Sequence, residues 1–169
     1  MYDNADMPTA FSFRDAMPPA LNQGSTPTCV PHACSALYDW MESLKAGAPA
    51  SYGMSIYNIY DRRQTRPEDG MSFKNALHDL LHIGAVKPDE YKRRDFSNAW
   101  RIKEYAMVKN IISLKNCVMM NGPVMIATLV RDPGSVRYWN GTGNYGGHAV
   151  CCVGWDRKGL IIRNSWGRN

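Results

Sequence analysis

Behind Cys29, apolar residues recur at Ala33, Leu37, Trp40, Met41 and Leu44, a spacing that predicts a helix from Cys29 to about Lys45. Gly47 lies just past its end and reads as a stop signal. Residues 53–63, with Tyr52, Ile56, Tyr57, Ile59 and Tyr60, predict a second helix packed on the first. Arg66 to Gly70 form a turn. Ser72 is a good N-cap for a third helix through Ile83, with Phe73, Ala76, Leu77, Leu80 and Leu81 inward and Gly84 as its stop. Residues 86–104 are charged and irregular. A strand is expected from Tyr105 to Ile112, then a short helix from Ser113 to Asn121 and a buried strand from Pro123 to Leu129. After a Gly- and Asn-rich loop at 131–146, two more strands, 148–155 and 160–166, flank a turn at Asp156-Arg157-Lys158-Gly159. Residues 1–10 read as an arm, and 11–22 as an extended, Pro-rich segment. The first two thirds are mainly helical and the last third mainly β, which predicts an α+β fold.

At 169 residues and 44% hydrophobic content, the chain has the size of one domain with a real core, or of two small lobes sharing an interface. The net charge of +5 is scattered. The one basic run, Lys92-Arg93-Arg94, is flanked by Asp89, Glu90 and Asp95 and reads as a solvated loop, so no nucleic-acid partner is expected. No apolar stretch approaches the ~20 residues of a membrane helix, so no membrane partner is expected either. The first ten residues are polar and mixed, so no secretory leader is expected.

The candidate chemistry starts at Asn22-Gln23-Gly24-Ser25-Thr26-Pro27-Thr28-Cys29, which leads into the first helix. Cys29 at a helix N-terminus meets a partial positive charge that favours thiolate over thiol. Pro31 is tolerated there because it falls in the first turn. A nucleophilic thiol also needs a base. His148, in Gly146-Gly147-His148-Ala149-Val150, leads an apolar strand, and Asn164 ends the next one. Antiparallel pairing of these strands can bring Asn164 beside His148, hold one imidazole nitrogen and aim the other at Cys29. Plainer readings stand beside this one: Cys29 as a structural thiol, His148 as a core histidine, Asn164 as a strand cap. Asn144 and Asp156 are rival orienting groups, although Asp156 sits at the wrong end of the hairpin. His32, His78 and His82 lack such settings and read as structural. Cys34, Cys117, Cys151 and Cys152 sit in apolar contexts and read as buried free thiols, so no disulfide is expected. No Cys-x2-Cys pair or spaced His pair supports a zinc site, and no metal is expected.

Taken in order, Asn-Gln-Gly-x4-Cys, Gly-His-Ala-Val-x-x-Val-Gly-Trp and Asn-Ser-Trp-Gly resemble the papain family of cysteine peptidases. Phe13-Arg14, Asn75-Ala76-Leu77 and Asn121-Gly122-Pro123-Val124 add weaker matches. The resemblance implies a single two-lobed domain over 1–169, with a helical lobe at about 22–104 and a β lobe at about 105–169 plus the crossing segment 8–21. It implies an endopeptidase acting on a protein or peptide substrate without a cofactor. Cys29 would be the nucleophile, His148 the base, Asn164 its orienting group, and Gln23 with the Cys29 backbone N–H the oxyanion hole. Trp166 would shield the His148–Asn164 hydrogen bond. Gly70, Met71, Gly147 and Ala149 would line the substrate, with Met71, Ala149 and Val124 or its neighbours forming an apolar pocket.

Several positions depart from the family pattern. Val30 stands where Trp is common, and the usual Gly-Gly pair reads Asp69-Gly70. Thr26 replaces the cysteine of the usual secreted-enzyme disulfide, which favours a reducing compartment. The long prosegment is not seen, and the chain stops soon after Asn-Ser-Trp-Gly. The rival expectations are a catalytically silent module of the same fold, or an amidase or isopeptidase acting on another amide.

Overall fold

A computed structural model describes residues 7–51, 53–65, 70–130 and 146–167. Its longest helix, α1, runs Cys29–Ala46. Its apolar stripe is widened by small residues, so Val30, Ala33, Cys34, Ala36, Tyr38 and Trp40 are all buried. Gly47 ends it in the left-handed region (φ 71°), where glycine carries no Cβ penalty. Asp39, fully buried in α1, accepts from Gly53 N at 3.0 Å and from Ser51 Oγ at 3.2 Å, and so holds the loop that follows.

That anchoring shortens the second helix. α2 spans only Ile56–Tyr60, because Gly53 is left-handed (φ 67°) and Ser55 caps the helix by accepting from Asn58 N. Tyr52, expected in its aromatic stripe, lies outside the described residues, as do residues 66–69 of the expected turn and the loop at 131–145. The third helix, α3, runs Phe73–His82 with Ser72 as its N-cap, accepting from Asn75 N at 3.1 Å. It buries Ala76 and Leu80, leaves Phe73, Leu77 and Leu81 half-buried, and also buries the polar Asn75 and Asp79.

Two expectations fail between residues 86 and 112. The charged stretch contains a short helix, α4, at Pro88–Lys92, with Pro88 in its first turn and Glu90 Oε2 accepting from Lys87 N at 2.9 Å. A proline in the first turn followed by acidic residues is a helix-start signal. The strand expected at Tyr105–Ile112 is absent from the ladders formed by the described residues. Residues 105–110 pair with no strand, and Asn110 instead caps α5, Ile111–Asn121, by accepting from Ser113 N at 2.8 Å. Alternation makes a strand only where a partner edge exists.

The sheet is antiparallel. β1 (Phe11–Ser12) and β2 (Val124–Leu129) pair with β3 (Gly147–Asp156), and β4 (Gly159–Arg163) pairs with β3 through the hairpin. A register shift between Cys152 and Gly154 bends β3. At Gly154 a Cβ would lie 2.1 Å from the Phe11 carbonyl oxygen, so only glycine lets β1 approach.

Two apolar clusters result. One joins α1, α2 and α3 to the inner face of β3 through Ala149, Cys151 and Val153. The other packs Leu114 and Val118 of α5 against Cys152 and Trp155. The helices α1 to α3 and the sheet with α5 thus form the two lobes of an α+β fold, and α1 packs directly along β3.

Candidate active site

The loop before α1 is held by its own hydrogen bonds. Gly24 N donates to Asn22 Oδ1 at 2.9 Å, Thr26 Oγ1 donates to the Gln23 carbonyl at 2.6 Å, and the Thr26 and Thr28 hydroxyls lie 2.7 Å apart. It is also tied to the far end of the chain. Gln23 N donates to the Ser165 carbonyl at 2.8 Å, Gly167 N to the Leu21 carbonyl at 3.0 Å, and Asn22 bridges to Trp166. These ties carry Cys29, the first residue of α1, to the strand ends that present His148 and Asn164.

His148 is the second residue of β3, and Asn164 directly follows β4. The His148 Nε2 and Asn164 Oδ1 atoms are 2.8 Å apart, and the same oxygen accepts from Ser165 N at 2.8 Å. Trp166 stacks on the imidazole, with centroids 5.2 Å apart and planes 23° from parallel. The Cys29 thiol hydrogen-bonds to His148. With Nε2 engaged by Asn164, that bond falls to Nδ1.

The electrostatics follow from these contacts. Burial alone would push the Cys29 thiol up, but its hydrogen bond to His148, the Ala149 backbone and the imidazole charge together bring it below the usual thiol range. Burial alone would push His148 down, but its hydrogen bonds to Cys29 and Asn164 bring it above the usual imidazole range. A lowered thiol beside a raised imidazole is the condition for a thiolate–imidazolium pair. Burial moves Cys34, Cys151 and Cys152 the other way. All five are free thiols, and burial pushes Cys34 and Cys151 up to about 12.

Gln23 reaches the same corner. Its Oε1 accepts from Ser165 Oγ at 2.5 Å and its Nε2 donates to the Thr26 carbonyl at 2.8 Å, which leaves the second amide hydrogen for another acceptor. The expected substrate-lining residues divide. Gly147 and Gly70 are exposed, and the Gly70 carbonyl already accepts from Thr65 Oγ1. Met71 and Ala149 are buried in the first cluster. Val124 packs in the second cluster, opposite Cys152, whereas Ala127 of the same strand lies opposite Ala149.

Two residues here carry more than sequence reasoning gave them. Ser165 holds Gln23 by both backbone and side chain. Arg163 donates from Nη2 to the Pro18 and Pro19 carbonyls at 3.3 and 2.9 Å and so fastens the crossing segment beside Asn164. Burial lowers its guanidinium pKa. Their position inside the Ile-Ile-Arg-Asn-Ser-Trp-Gly run was the available signal. Of the rival groups, Asn144 lies outside the described residues, and Asp156 accepts from Lys158 N and Gly159 N in the hairpin turn. His32 is structural, its Nδ1 2.8 Å from the Thr28 carbonyl oxygen, while His78 and His82 are exposed.

Among solved structures, the chain is similar to xylellain, a cysteine protease from Xylella fastidiosa (TM-score 0.75, 22% identity, 98% of this chain and 77% of that one). It is also similar to the Carica candamarcensis cysteine protease CMS1MS2 (TM-score 0.66, 20% identity, 95% and 84%) and to procathepsin L 3 of the Tenebrio molitor larval midgut (TM-score 0.62, 17% identity, 98% and 63%). No curated protein matches. The profile described as "Papain family cysteine protease" matches residues 38–169. The chain therefore belongs to the papain family of cysteine proteases, hydrolases of peptide bonds.

Proposed function

We propose that the protein is an endopeptidase working through Cys29, His148 and Asn164, with Gln23 in the oxyanion hole. The observation that carries this reading is His148 held between two partners, Asn164 at 2.8 Å on Nε2 and the Cys29 thiol on its other nitrogen. In this reading the Cys29 thiolate attacks the scissile carbonyl carbon. The oxyanion takes hydrogen bonds from the Cys29 backbone N–H and the second Gln23 amide hydrogen. Imidazolium at His148 gives its proton to the leaving amine, then takes one from the water that hydrolyses the thioester. Asn164 keeps the ring aligned throughout, and Trp166 covers the bond between them.

The cleft of this reading lies between a helical lobe, about 22–104, and a β lobe, about 105–169 with 8–21. Gly70, Gly147 and Trp166 would flank the substrate chain. Met71, Ala149 and, by register, Ala127 would form the pocket for the side chain two residues before the scissile bond. None of the three is charged, so aliphatic or aromatic side chains are expected there. The Carica relative was crystallised in complex with E-64, which makes that inhibitor the natural probe. Incubation with E-64 followed by mass spectrometry should give one adduct per chain, on Cys29, together with loss of cleavage across a mixed peptide library. An adduct elsewhere, or a library left uncut by protein that takes up no E-64, would contradict the proposal.

A further inference from the structure

Away from the cleft, α3 carries His78 and His82 one helical turn apart. Residues at i and i+4 share a helix face. Here both side chains are exposed and their ring centroids are 4.5 Å apart, with planes at 49°. The helix expected through Ile83 already set both on one face, although sequence reasoning read each histidine singly as structural.

His78 is oriented from beneath. Its Nδ1 lies 3.4 Å from Asp79 Oδ1. Asp79 is only 5% exposed, and its other oxygen accepts from Asn75 Nδ2 at 3.2 Å. Asn75 is fixed in turn, since its Oδ1 accepts from Gln64 N at 2.7 Å. A carboxylate beside Nδ1 favours the tautomer with the proton there, which leaves Nε2 as the ligand nitrogen. This is the carboxylate–imidazole arrangement that supports metal-bound histidines. His82 is the last residue of α3, where the partial negative charge of the helix end favours a cation.

We propose that His78 and His82 form a two-imidazole site for a divalent first-row transition ion such as Zn²⁺, Ni²⁺ or Cu²⁺. Imidazole nitrogen suits these ions, whereas Mg²⁺ and Ca²⁺ call for oxygen ligands. Among the described residues no group of three or more His, Cys, Asp or Glu could hold an ion together, so water fills the remaining positions. Bound to consecutive turns, the ion staples the C-terminal half of α3. Because it binds the folded helix and not the unfolded chain, it raises stability by mass action.

The test uses Cys29→Ala protein, so that the cleft thiolate takes no ion, and Zn²⁺ as the probe. Calorimetric titration should find one Zn²⁺ per chain, and saturating Zn²⁺ should raise the melting temperature where equal Mg²⁺ does not. His82→Ala, an exposed substitution that leaves the core intact, should abolish both effects. Asp79→Asn, which keeps the side chain's size, should weaken Zn²⁺ binding ~10-fold or more through the lost orientation of His78. Absence of Zn²⁺ binding to the starting protein, or binding that survives in the His78→Ala/His82→Ala double variant, would overturn the site.

Discussion

Cys29 and Cys34 lie on the same helix, yet they occupy opposite chemical worlds. Cys29 stands at the N-terminus of α1, half-buried, with His148 and the Ala149 backbone as partners that bring its thiol below the usual range. Cys34, little more than one turn further on, lies at the seam with β3, where burial pushes it up to about 12. β3 repeats the contrast, since His148 faces the cleft near its start and Cys151, donating to the Ala33 carbonyl at 3.5 Å, faces the same seam. The lesson is that position within the fold moves two thiols of one helix in opposite directions. The helix end, the neighbouring imidazole and partial exposure act together at Cys29 and, among the described residues, at no other thiol.

The sharpest way to break this contrast is to delete each thiol in turn. Cys29→Ala should abolish turnover of a peptide substrate, because it removes the proposed nucleophile. Cys34→Ala should retain kcat/KM while losing about 1 kcal/mol of stability in urea unfolding, the ordinary cost of a small buried truncation. Equal loss of activity in both variants would dissolve the distinction. A smaller effect is expected one step further from the sulfur. Gln23→Ala should lower kcat ~10²–10³-fold, ~3 kcal/mol of transition-state stabilisation, with little change in KM. A rise in KM at unchanged kcat would show Gln23 to be a binding residue instead.

Much of both regions was legible in the sequence. The helix behind Cys29 follows its apolar spacing to within a residue, and Ser72 caps α3 as its residue type predicts. The hairpin that sets Asn164 beside His148 was readable from two apolar runs and a Gly-containing turn. What escaped depended on partners distant in sequence. Tyr105 to Asn110 has strand chemistry but finds no partner edge among the described residues, and Tyr105 and Met107 are left 46% and 82% exposed. The family resemblance put Val124 or its neighbours at the pocket, and only the ladder register singles out Ala127 as the residue opposite Ala149. The grip of Ser165 on Gln23 spans most of the chain, and no spacing rule reports it.

The central claim, that Cys29 and His148 form a thiolate–imidazolium pair steadied by Asn164, is tested most directly by the pH dependence of Cys29 alkylation. Native protein is treated with iodoacetamide across a pH series, and each cysteine is quantified by mass spectrometry, for the wild type and for Asn164→Ala. A thiol of lowered pKa reacts at pH values where a free thiol, pKa ~8.5, is still protonated. After its bond to Cys29, the hydrogen bond that His148 Nε2 donates to Asn164 Oδ1 also raises the His148 pKa. Its loss should therefore let the imidazolium deprotonate at lower pH and return the thiol toward its ordinary value. A thiolate–imidazolium pair should give modification of Cys29 ahead of every other cysteine, with a midpoint below ~8.5 that moves upward in Asn164→Ala. A Cys29 midpoint at or above ~8.5 in the wild type, or equal modification of Cys34 in the folded protein, would contradict it.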